Sequence, residues 1–224
     1  MKKKLLSALL LTGCLFCLTA CGKEEVKDEE STVKTGTVTL EELDLADEGV
    51  LTQESDTLLA GQYNIEIEIV DYGTIALTLD ADVAPVTVTN FLDLVKDDFY
   101  NGLTFHRIID GFMMQGGDPE GTGMGGSPRK IQGEFASNGI ENSLAHSRGV
   151  ISMARTNQPD SASSQFFIMH QDYPSLDGEY AAFGMVTDGI EIVDAVCKAT
   201  PTEDGNGTVL TEYQPIIKEI RIVE

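Results

Sequence analysis

The stretch of this sequence best able to do chemistry is residues 105–118. It holds one arginine, two phenylalanines, two methionines and one glutamine. It contains no nucleophile next to a base and no spacing typical of metal ligands. Such side chains can press an apolar group into a hydrophobic pocket and offer it one charged hydrogen-bond donor, Arg107. This combination suits a reaction in which no covalent bond is made or broken.

The remaining motifs are weak evidence for other chemistry. His106, His146 and His170 do not share the spacing of metal ligands. Residues 121–126 match the nucleotide-binding pattern G-x-G-x-x-G by letter. That pattern needs a strand before it and a helix after it, whereas here a proline stands close on each side, which indicates a surface loop. We therefore predict that the protein uses no metal and no cofactor.

The first twenty residues read as a secretion signal. Three lysines precede an apolar run over residues 5–20, which is shorter than the roughly 20 residues that a membrane-spanning helix needs. The run ends in Leu-Thr-Ala followed by Cys21, which resembles the lipobox of bacterial lipoproteins. In those proteins the cysteine is diacylated and becomes the mature N-terminus. Because two acyl chains give stable anchoring, we expect a protein outside the cytoplasm, tethered to the cell membrane through Cys21.

The other cysteines leave an alternative for this segment. Cys14 and Cys17 lie earlier in the apolar run, but bulky residues precede Cys17 and small ones precede Cys21. An ordinary signal peptide cut near Ala20 would instead leave Cys21 as a free thiol. Cys197 lies on the face of a predicted helix and is expected to be a small buried apolar residue.

The charge of the chain is strongly negative, with a formal net charge of -22. Such a surface does not favour binding of nucleic acid. Much of the acid falls in residues 22–57, which contain no aromatic residue and few large apolar ones. We predict a signal peptide over residues 1–20, an acidic flexible tether over 21–57 and one folded domain over 58–224.

Periodic patterns within the folded part predict its elements. Residues 63–70 and 75–79 alternate apolar and polar side chains, which predicts a hairpin. Pro85 can open a helix, because its missing N–H costs little there, and a second helix is predicted over 190–198. The first helix has an apolar stripe of Val88, Phe91, Leu92 and Val95. Many short strands with only two helices indicate a closed antiparallel barrel or a sandwich.

Five blocks of sequence carry a more specific signal, in order, over most of residues 65–223. They are residues 105–109, 111–118, 149–154, 164–168, and 176–178 together with 183–184. Their residues and spacing resemble the cyclophilin family of peptidyl-prolyl isomerases. The resemblance implies a mainly β fold, a closed eight-stranded antiparallel barrel capped by two α-helices. It also implies catalysed rotation about X–Pro bonds in polypeptides, without a cofactor.

The resemblance also implies a role for each matching residue. Arg107 would be the catalytic donor. The proline pocket would be lined by Phe112, Met113, Phe167 and Leu176. Gln115 would hydrogen-bond the substrate backbone, with Gln165 next to it. The remaining substrate contacts would be His106, Ala154, the backbone of Arg155, and Tyr180.

Three positions depart from the best-known eukaryotic pattern of this family. Ser175 stands where a tryptophan is common, Tyr180 where a histidine is common, and Arg155 where an asparagine is usual. Tyr180 can still supply an aromatic wall, whereas Ser175 removes a large flat one. The resemblance therefore does not establish affinity for cyclosporin-like macrocycles. If only the backbone is used at Arg155, catalysis should survive.

Two function hypotheses of different classes follow. The first is a monomeric, membrane-tethered prolyl isomerase that assists folding of extracytoplasmic polypeptides. The second is a non-catalytic chaperone or scaffold module that grips proline-containing segments. Arg107 and Gln115 together favour catalysis, because gripping alone does not need a donor aimed at the prolyl nitrogen.

Overall fold

A computed structural model describes residues 49–223 of the chain. The predicted signal peptide, the proposed lipidation site Cys21 and the predicted tether up to residue 48 lie outside the described residues. Within residues 49–223, no helix is both long enough and apolar enough to span a bilayer.

The described part is built on an eight-stranded antiparallel sheet with two α-helices. Ten strands occur in chain order: β1 (Val50–Leu51), β2 (Gln62–Ile69), β3 (Gly73–Asp80), β4 (Thr104–Ile109), β5 (Met113–Asp118), β6 (Lys130–Ile131), β7 (Val150–Met153), β8 (Phe166–Met169), β9 (Ala182–Asp188) and β10 (Ile217–Val223). The helices are α1 (Pro85–Lys96) and α2 (Ile190–Ala199). The main sheet has the order β10-β2-β3-β9-β7-β8-β5-β4, and β1 pairs only with β6.

The sheet curls so that its two edges, β10 and β4, meet over a short stretch. The contact includes a bridge between Thr104 and Ile216, and the Ile217 N–H donates to the Leu103 carbonyl at 2.8 Å. Beside it, the Phe105 N–H donates to the Pro215 carbonyl at 2.9 Å. The mainly β fold with eight antiparallel strands and two helices is confirmed. The sheet is better described as a half-barrel than as a fully closed barrel, because β10 and β4 are the two ends of the sheet order and do not pair along their length.

The predicted hairpin and both predicted helices are present. Strands β2 and β3 pair along their whole length, and Ile65 and Leu77 on their inner face are buried. Helix α1 begins at Pro85, as predicted. Its first N–H groups are capped by a distant side chain, the buried Glu134. The Val86 N–H donates to Glu134 Oε1 at 3.0 Å and the Thr87 N–H to Oε2 at 2.9 Å.

The core is formed by the buried side chains of the sheet together with those of α1 and α2. Aromatic rings dominate it; Phe91 stacks on Tyr100 with ring centroids 4.9 Å apart and meets Phe166 edge-on at 5.6 Å. Phe105 and Phe166 are fully buried. Cys197 is also buried, and burial raises the pKa of its thiol to about 12. It therefore acts as the small apolar residue that was expected.

Strand β1 extends the folded part further upstream than the predicted domain start at residue 58. Val50 and Leu51, placed in the predicted tether, pair in parallel with Lys130 and Ile131 of β6. Leu51 is partly buried against the main core. A strand of two residues is too short to show an alternating pattern in the sequence.

Candidate active site

Strand pairing brings the predicted site residues to one face of the sheet. Arg107 on β4 lies opposite Gln115 on β5, and Gln115 lies opposite Phe167 on β8. These strands border a cavity of about 320 Å³. Every predicted substrate-contacting residue except Gln165 lines it, together with three residues that were not predicted, Thr122, Gly123 and Thr208. The predicted residues lining it are His106, Arg107, Phe112, Met113, Gln115, Ala154, Arg155, Phe167, Leu176 and Tyr180.

The Arg107 guanidinium is held at the rim of this cavity by neutral acceptors. Its Nε donates to the Asn206 carbonyl at 2.8 Å, and its Nη1 donates to Gln115 Oε1 at 3.2 Å. Within residues 49–223, the arginines that form ion pairs with carboxylates are others. Burial lowers the pKa of Arg107, while Tyr180 and Asp204 act in the opposite direction. Arginine stays protonated at neutral pH even so, and its charge is not cancelled by an adjacent carboxylate.

A chain of side-chain amides fixes the direction in which Gln115 presents its oxygen. Gln115 Nε2 donates to Gln165 Oε1 at 2.9 Å, and Gln165 Nε2 donates to the Gly125 carbonyl at 2.7 Å. Because each amide NH₂ already has an acceptor, Gln115 turns its carbonyl oxygen toward Arg107. Gln165 lies beside Gln115, as predicted, and lines the neighbouring hollow instead of the main cavity.

The wall opposite Arg107 is apolar. Met113 and Phe167 are buried, and they belong to a small core cluster with Phe112, Leu176 and Tyr180 packed against it. The Tyr180 ring meets Phe167 edge-on, with centroids 5.9 Å apart. A group inside this cavity would therefore meet an apolar wall on one side and polar side chains, including the charged donor Arg107, on the other.

A buried histidine supports this wall from behind, and sequence reasoning did not find it. The His146 ring lies nearly parallel to Phe167, with centroids 6.0 Å apart. Its Nδ1 lies 3.0 Å from Asp177 Oδ1 and its Nε2 lies 3.0 Å from the Ser152 hydroxyl. Burial lowers the pKa of His146, against the effect of Asp177. A neutral ring donating from Nδ1 and accepting at Nε2 satisfies both partners.

The second histidine at the site, His106, has a different environment. Its side chain is buried, and neither ring nitrogen has a hydrogen-bond partner among the described residues. Burial lowers its pKa, while Asp118 raises it and Arg107 lowers it further. His106 therefore contributes a neutral wall. Across the described residues there is no cluster of three or more potential metal ligands.

The Arg155 side chain makes its contacts with other residues of the protein. Its guanidinium carbon lies 4.7 Å from the centre of the Phe135 ring and 4.8 Å from that of Tyr180. Its Nε donates to the Glu179 carbonyl at 2.9 Å. The side chain stacks between two rings and fixes Tyr180 in the cavity wall. Arg155 lines the cavity, and the use of its backbone alone by a substrate stays a prediction.

A second hollow, of about 190 Å³, adjoins the main cavity. The two share Gln115, Gly123, Ala154 and Arg155. The other residues of the second hollow are Met124, Gly125, Lys130, Thr156, Ser161, Ser163 and Gln165. Its glycine-rich rim is a loop folded around the Asp118 carboxylate, which accepts the Gly123 N–H at 2.6 Å. This is the loop that the sequence predicts in place of a nucleotide site.

Comparison with known proteins agrees with this geometry. The family model described as cyclophilin type peptidyl-prolyl cis-trans isomerase/CLD matches residues 64–223. A peptidyl-prolyl cis-trans isomerase of Helicobacter pylori is 47% identical over 126 residues, which are 55% of this chain and 74% of that protein. Peptidyl-prolyl cis-trans isomerase B of Bacillus subtilis is 45% identical over 144 residues, covering 64% of this chain and 92% of the relative.

A solved structure shows the same fold. The crystal structure of a cyclophilin type peptidyl-prolyl cis-trans isomerase of Cryptosporidium parvum superposes with a TM-score of 0.64 at 32% identity. The match covers 73% of this chain and 98% of that one. The fold, the arginine at the rim of an apolar cavity and the family match agree, and the chain belongs to the cyclophilin-type peptidyl-prolyl cis-trans isomerases.

Proposed function

We propose that this isomerase works through Arg107 on X–Pro bonds of polypeptides outside the cytoplasm, and that it assists their folding while anchored to the membrane by lipid on Cys21. One observation carries the chemical part of the proposal. Among residues 49–223, the Arg107 guanidinium is fixed by two neutral acceptors at a cavity with one apolar wall, and it forms no ion pair with a carboxylate. A guanidinium so placed is available to a substrate.

The reaction needs a hydrogen-bond donor mainly in its transition state. An X–Pro amide is planar because its nitrogen lone pair is delocalised, and the barrier to rotation is about 18–20 kcal/mol. The cis and trans forms differ little in energy. In the twisted transition state the resonance is lost, and the prolyl nitrogen becomes a hydrogen-bond acceptor. A hydrogen bond gained mainly in the transition state accelerates the reaction, whereas one made equally in the ground state does not.

The magnitude of this effect limits what Arg107 does alone. A hydrogen bond to a charged group contributes roughly 1.5–3 kcal/mol, and each 1.36 kcal/mol is about tenfold in rate. Arg107 therefore supplies about ten- to a hundredfold. A millionfold acceleration needs about 8 kcal/mol. The rest must come from the cavity, where partial burial strengthens the donor and the apolar wall holds the proline ring while the preceding carbonyl turns.

Each wall of the cavity then has a task in substrate binding. The proline ring packs against Phe112, Met113, Phe167 and Leu176. Gln115, with its NH₂ group engaged by Gln165, offers its oxygen to a backbone N–H of the substrate as well as to Arg107. A proline-containing substrate is supported by the Cryptosporidium parvum relative, one structure of which was solved in the presence of the dipeptide Ala-Pro.

The test of activity is the cis/trans exchange rate of an X–Pro peptide, measured by exchange NMR with and without the full-length protein. We expect exchange far above the uncatalysed rate. Exchange at the uncatalysed rate with peptide binding intact would contradict the proposal. That result would favour the second hypothesis, a non-catalytic chaperone or scaffold that grips proline-containing segments.

The location rests on the N-terminal pattern that ends at Cys21, and it has its own test. Intact-mass spectrometry of protein extracted from membranes should show a diacylated cysteine at the mature N-terminus. A chain cut near Ala20 with an unmodified thiol, or an uncleaved chain in the cytosol, would overturn this part alone. The expected monomer is tested by light scattering of the same preparation, in which a mass of two or more chains would contradict it.

A further inference from the structure

Residues 49–59 form a strap that lies upstream of the part of the chain matched by the family model, residues 64–223. The strap begins with β1, which runs parallel to β6. The Gln132 N–H donates to the Leu51 carbonyl at 2.9 Å, and the Gln53 N–H donates to Gln132 Oε1 at 2.9 Å. At its other end, the Leu59 N–H donates to the hydroxyl of Thr89 on α1 at 2.9 Å.

The strap lies directly behind one wall of the second hollow. Strand β6 has β1 on one side, and on the other side its Ile131 forms a bridge with Ala162, with the Ile131 N–H 3.0 Å from the Ala162 carbonyl. Lys130 from β6 and Ser161 and Ser163 from the segment around Ala162 line the second hollow. The strap, β6 and the segment around Ala162 thus lie side by side, with the strap outermost. We call β6 and the Ala162 segment the two inner members, and they form that wall.

The two inner members are held in different ways. The segment around Ala162 is fixed to α1, because Asn90 Nδ2 donates to the Ser163 carbonyl at 2.6 Å within the buried interior. Strand β6 is only two residues long. Its pairing consists of the strap and the single bridge to Ala162. Without the strap, one whole edge of β6 would face water. Strand β6 would then be held by its bridge to Ala162 and by Arg129, which precedes Lys130 and binds Asn90 and Asp93 on α1.

We propose that the strap is a positioning element for the second hollow. It determines how well the enzyme binds polypeptide that extends beyond the main cavity beside Arg107, which we call the prolyl cavity. The proposal rests on the proposed isomerase function. In this account the strap fixes Lys130 and thereby the shape of the second hollow. The prolyl cavity does not depend on the strap, because Arg107, Gln115 and Phe167 are positioned by the pairing of β4, β5 and β8.

The test uses the full-length protein with the substitution Leu51→Asp. Leu51 packs partly buried against the core, and an unpaired charge there favours release of the strap. Val70→Asp is the matched control, because Val70 is an exposed apolar residue that lines neither hollow. Gln132→Ala is a milder second variant that removes the acceptor of the Gln53 N–H. Hydrogen exchange of the Gln132 amide reports whether the strap has detached.

Two peptides distinguish binding in the prolyl cavity from binding in the second hollow. The short one is Ala-Pro blocked at both ends, which fills the prolyl cavity alone; the long one carries three further residues on each side. We expect Leu51→Asp to raise KM for the long peptide about three- to tenfold and Gln132→Ala about twofold. The value of kcat for the long peptide, and both kcat and KM for the short peptide, should stay at wild-type level. The Val70→Asp variant should keep wild-type kcat and KM for both peptides.

Two outcomes would overturn the proposal. One is unchanged binding of the long peptide although the Gln132 amide has lost its protection. The other is an equal loss for both peptides, which would mean that the strap supports the whole fold and not the second hollow. If the wild type proves inactive, the isomerase proposal fails by itself. The same comparison is then made by calorimetric binding of the two peptides.

Discussion

Arg107 and Arg129 lie in two regions of the molecule and are held in contrasting ways. Arg129 is buried beside α1, where its Nη2 lies 2.8 Å from Asp93 Oδ2 and its Nε donates to Asn90 Oδ1 at 3.1 Å. Arg107 is half-buried at the prolyl cavity, and its acceptors are a carbonyl and an amide oxygen. The charge of Arg129 is balanced by a carboxylate, whereas Arg107 is oriented by neutral oxygens.

The difference separates stability from activity. A buried charge needs a partner of opposite charge, and removing one member of such a pair leaves the other without compensation. A guanidinium that is oriented by neutral groups keeps its full charge for a ligand. We therefore expect Arg129 to act on folding and Arg107 to act on catalysis. Three predictions test this separation, and a fourth tests the neutral histidines at the cavity.

The largest effect is expected for Arg129→Met. The substitution keeps much of the volume but leaves the Asp93 carboxylate buried, with Lys96 at 3.4 Å as its remaining ion-pair partner. The free energy of unfolding should fall by about 3 kcal/mol, measured by urea denaturation. The isomerase rate per folded molecule should not change. A loss of activity without a loss of stability would reverse the roles assigned to the two arginines.

Arg107→Met should show the opposite pattern. The donor to the prolyl nitrogen is lost, so kcat/KM on an X–Pro peptide should fall about ten- to a hundredfold. The free energy of unfolding should change by less than about 1 kcal/mol, because no buried carboxylate loses its partner. A stability loss as large as that of Arg129→Met would show that Arg107 is mainly structural.

Gln115→Glu would convert the environment of Arg107 into one like that of Arg129. A carboxylate would replace the amide oxygen that now lies 3.2 Å from Arg107 Nη1. The ion pair at this half-exposed site is worth about 1 kcal/mol or less, and kcat/KM should fall about fivefold while stability is kept. Gln165→Glu, one amide further from Arg107, is the control and should lose less. An unchanged or higher rate in Gln115→Glu would contradict the account.

The smallest effect concerns pH and the neutral walls of the cavity. Burial lowers the pKa of His146 below its ordinary value of 6.5, and that of His106 shifts in the same direction for the same reason. The unfolded chain therefore binds more protons than the folded one as the pH falls through that value. The stability from these neutral rings is complete above about pH 7 and is lost on acidification. Urea denaturation between pH 7.5 and 5.5 should show this slope, and His146→Gln should flatten it. An equal slope in both proteins would exclude His146 as its source.

The sequence alone predicts the parts of the site that lie in continuous blocks. Arg107 and Gln115 fall on two paired strands, and Phe112 lies in the short turn that joins them. Their joint placement therefore follows from local pattern and from the family resemblance. The helix that opens at Pro85 is predictable for the same reason, since its start signal and apolar stripe are both local.

Long-range contacts account for what the sequence did not predict. The cap of α1 is Glu134, 48 residues away from Val86. The carbonyl that orients Arg107 belongs to Asn206, 99 residues downstream. The strap pairs with a strand of two residues. Periodicity also indicates the strands of the sheet without indicating how far its edges meet, which is why a closed barrel was expected where a half-barrel is found.

The most direct test of the central claim separates binding from rotation in Arg107→Met. Exchange NMR of an X–Pro peptide gives the interconversion rate on the enzyme, and a titration gives Kd for the same peptide. Because Arg107 acts in the twisted transition state, the account predicts a rate on the enzyme that falls about ten- to a hundredfold, with Kd nearly unchanged. A variant that rotates the bound peptide at the wild-type rate, or that loses only affinity, would contradict it.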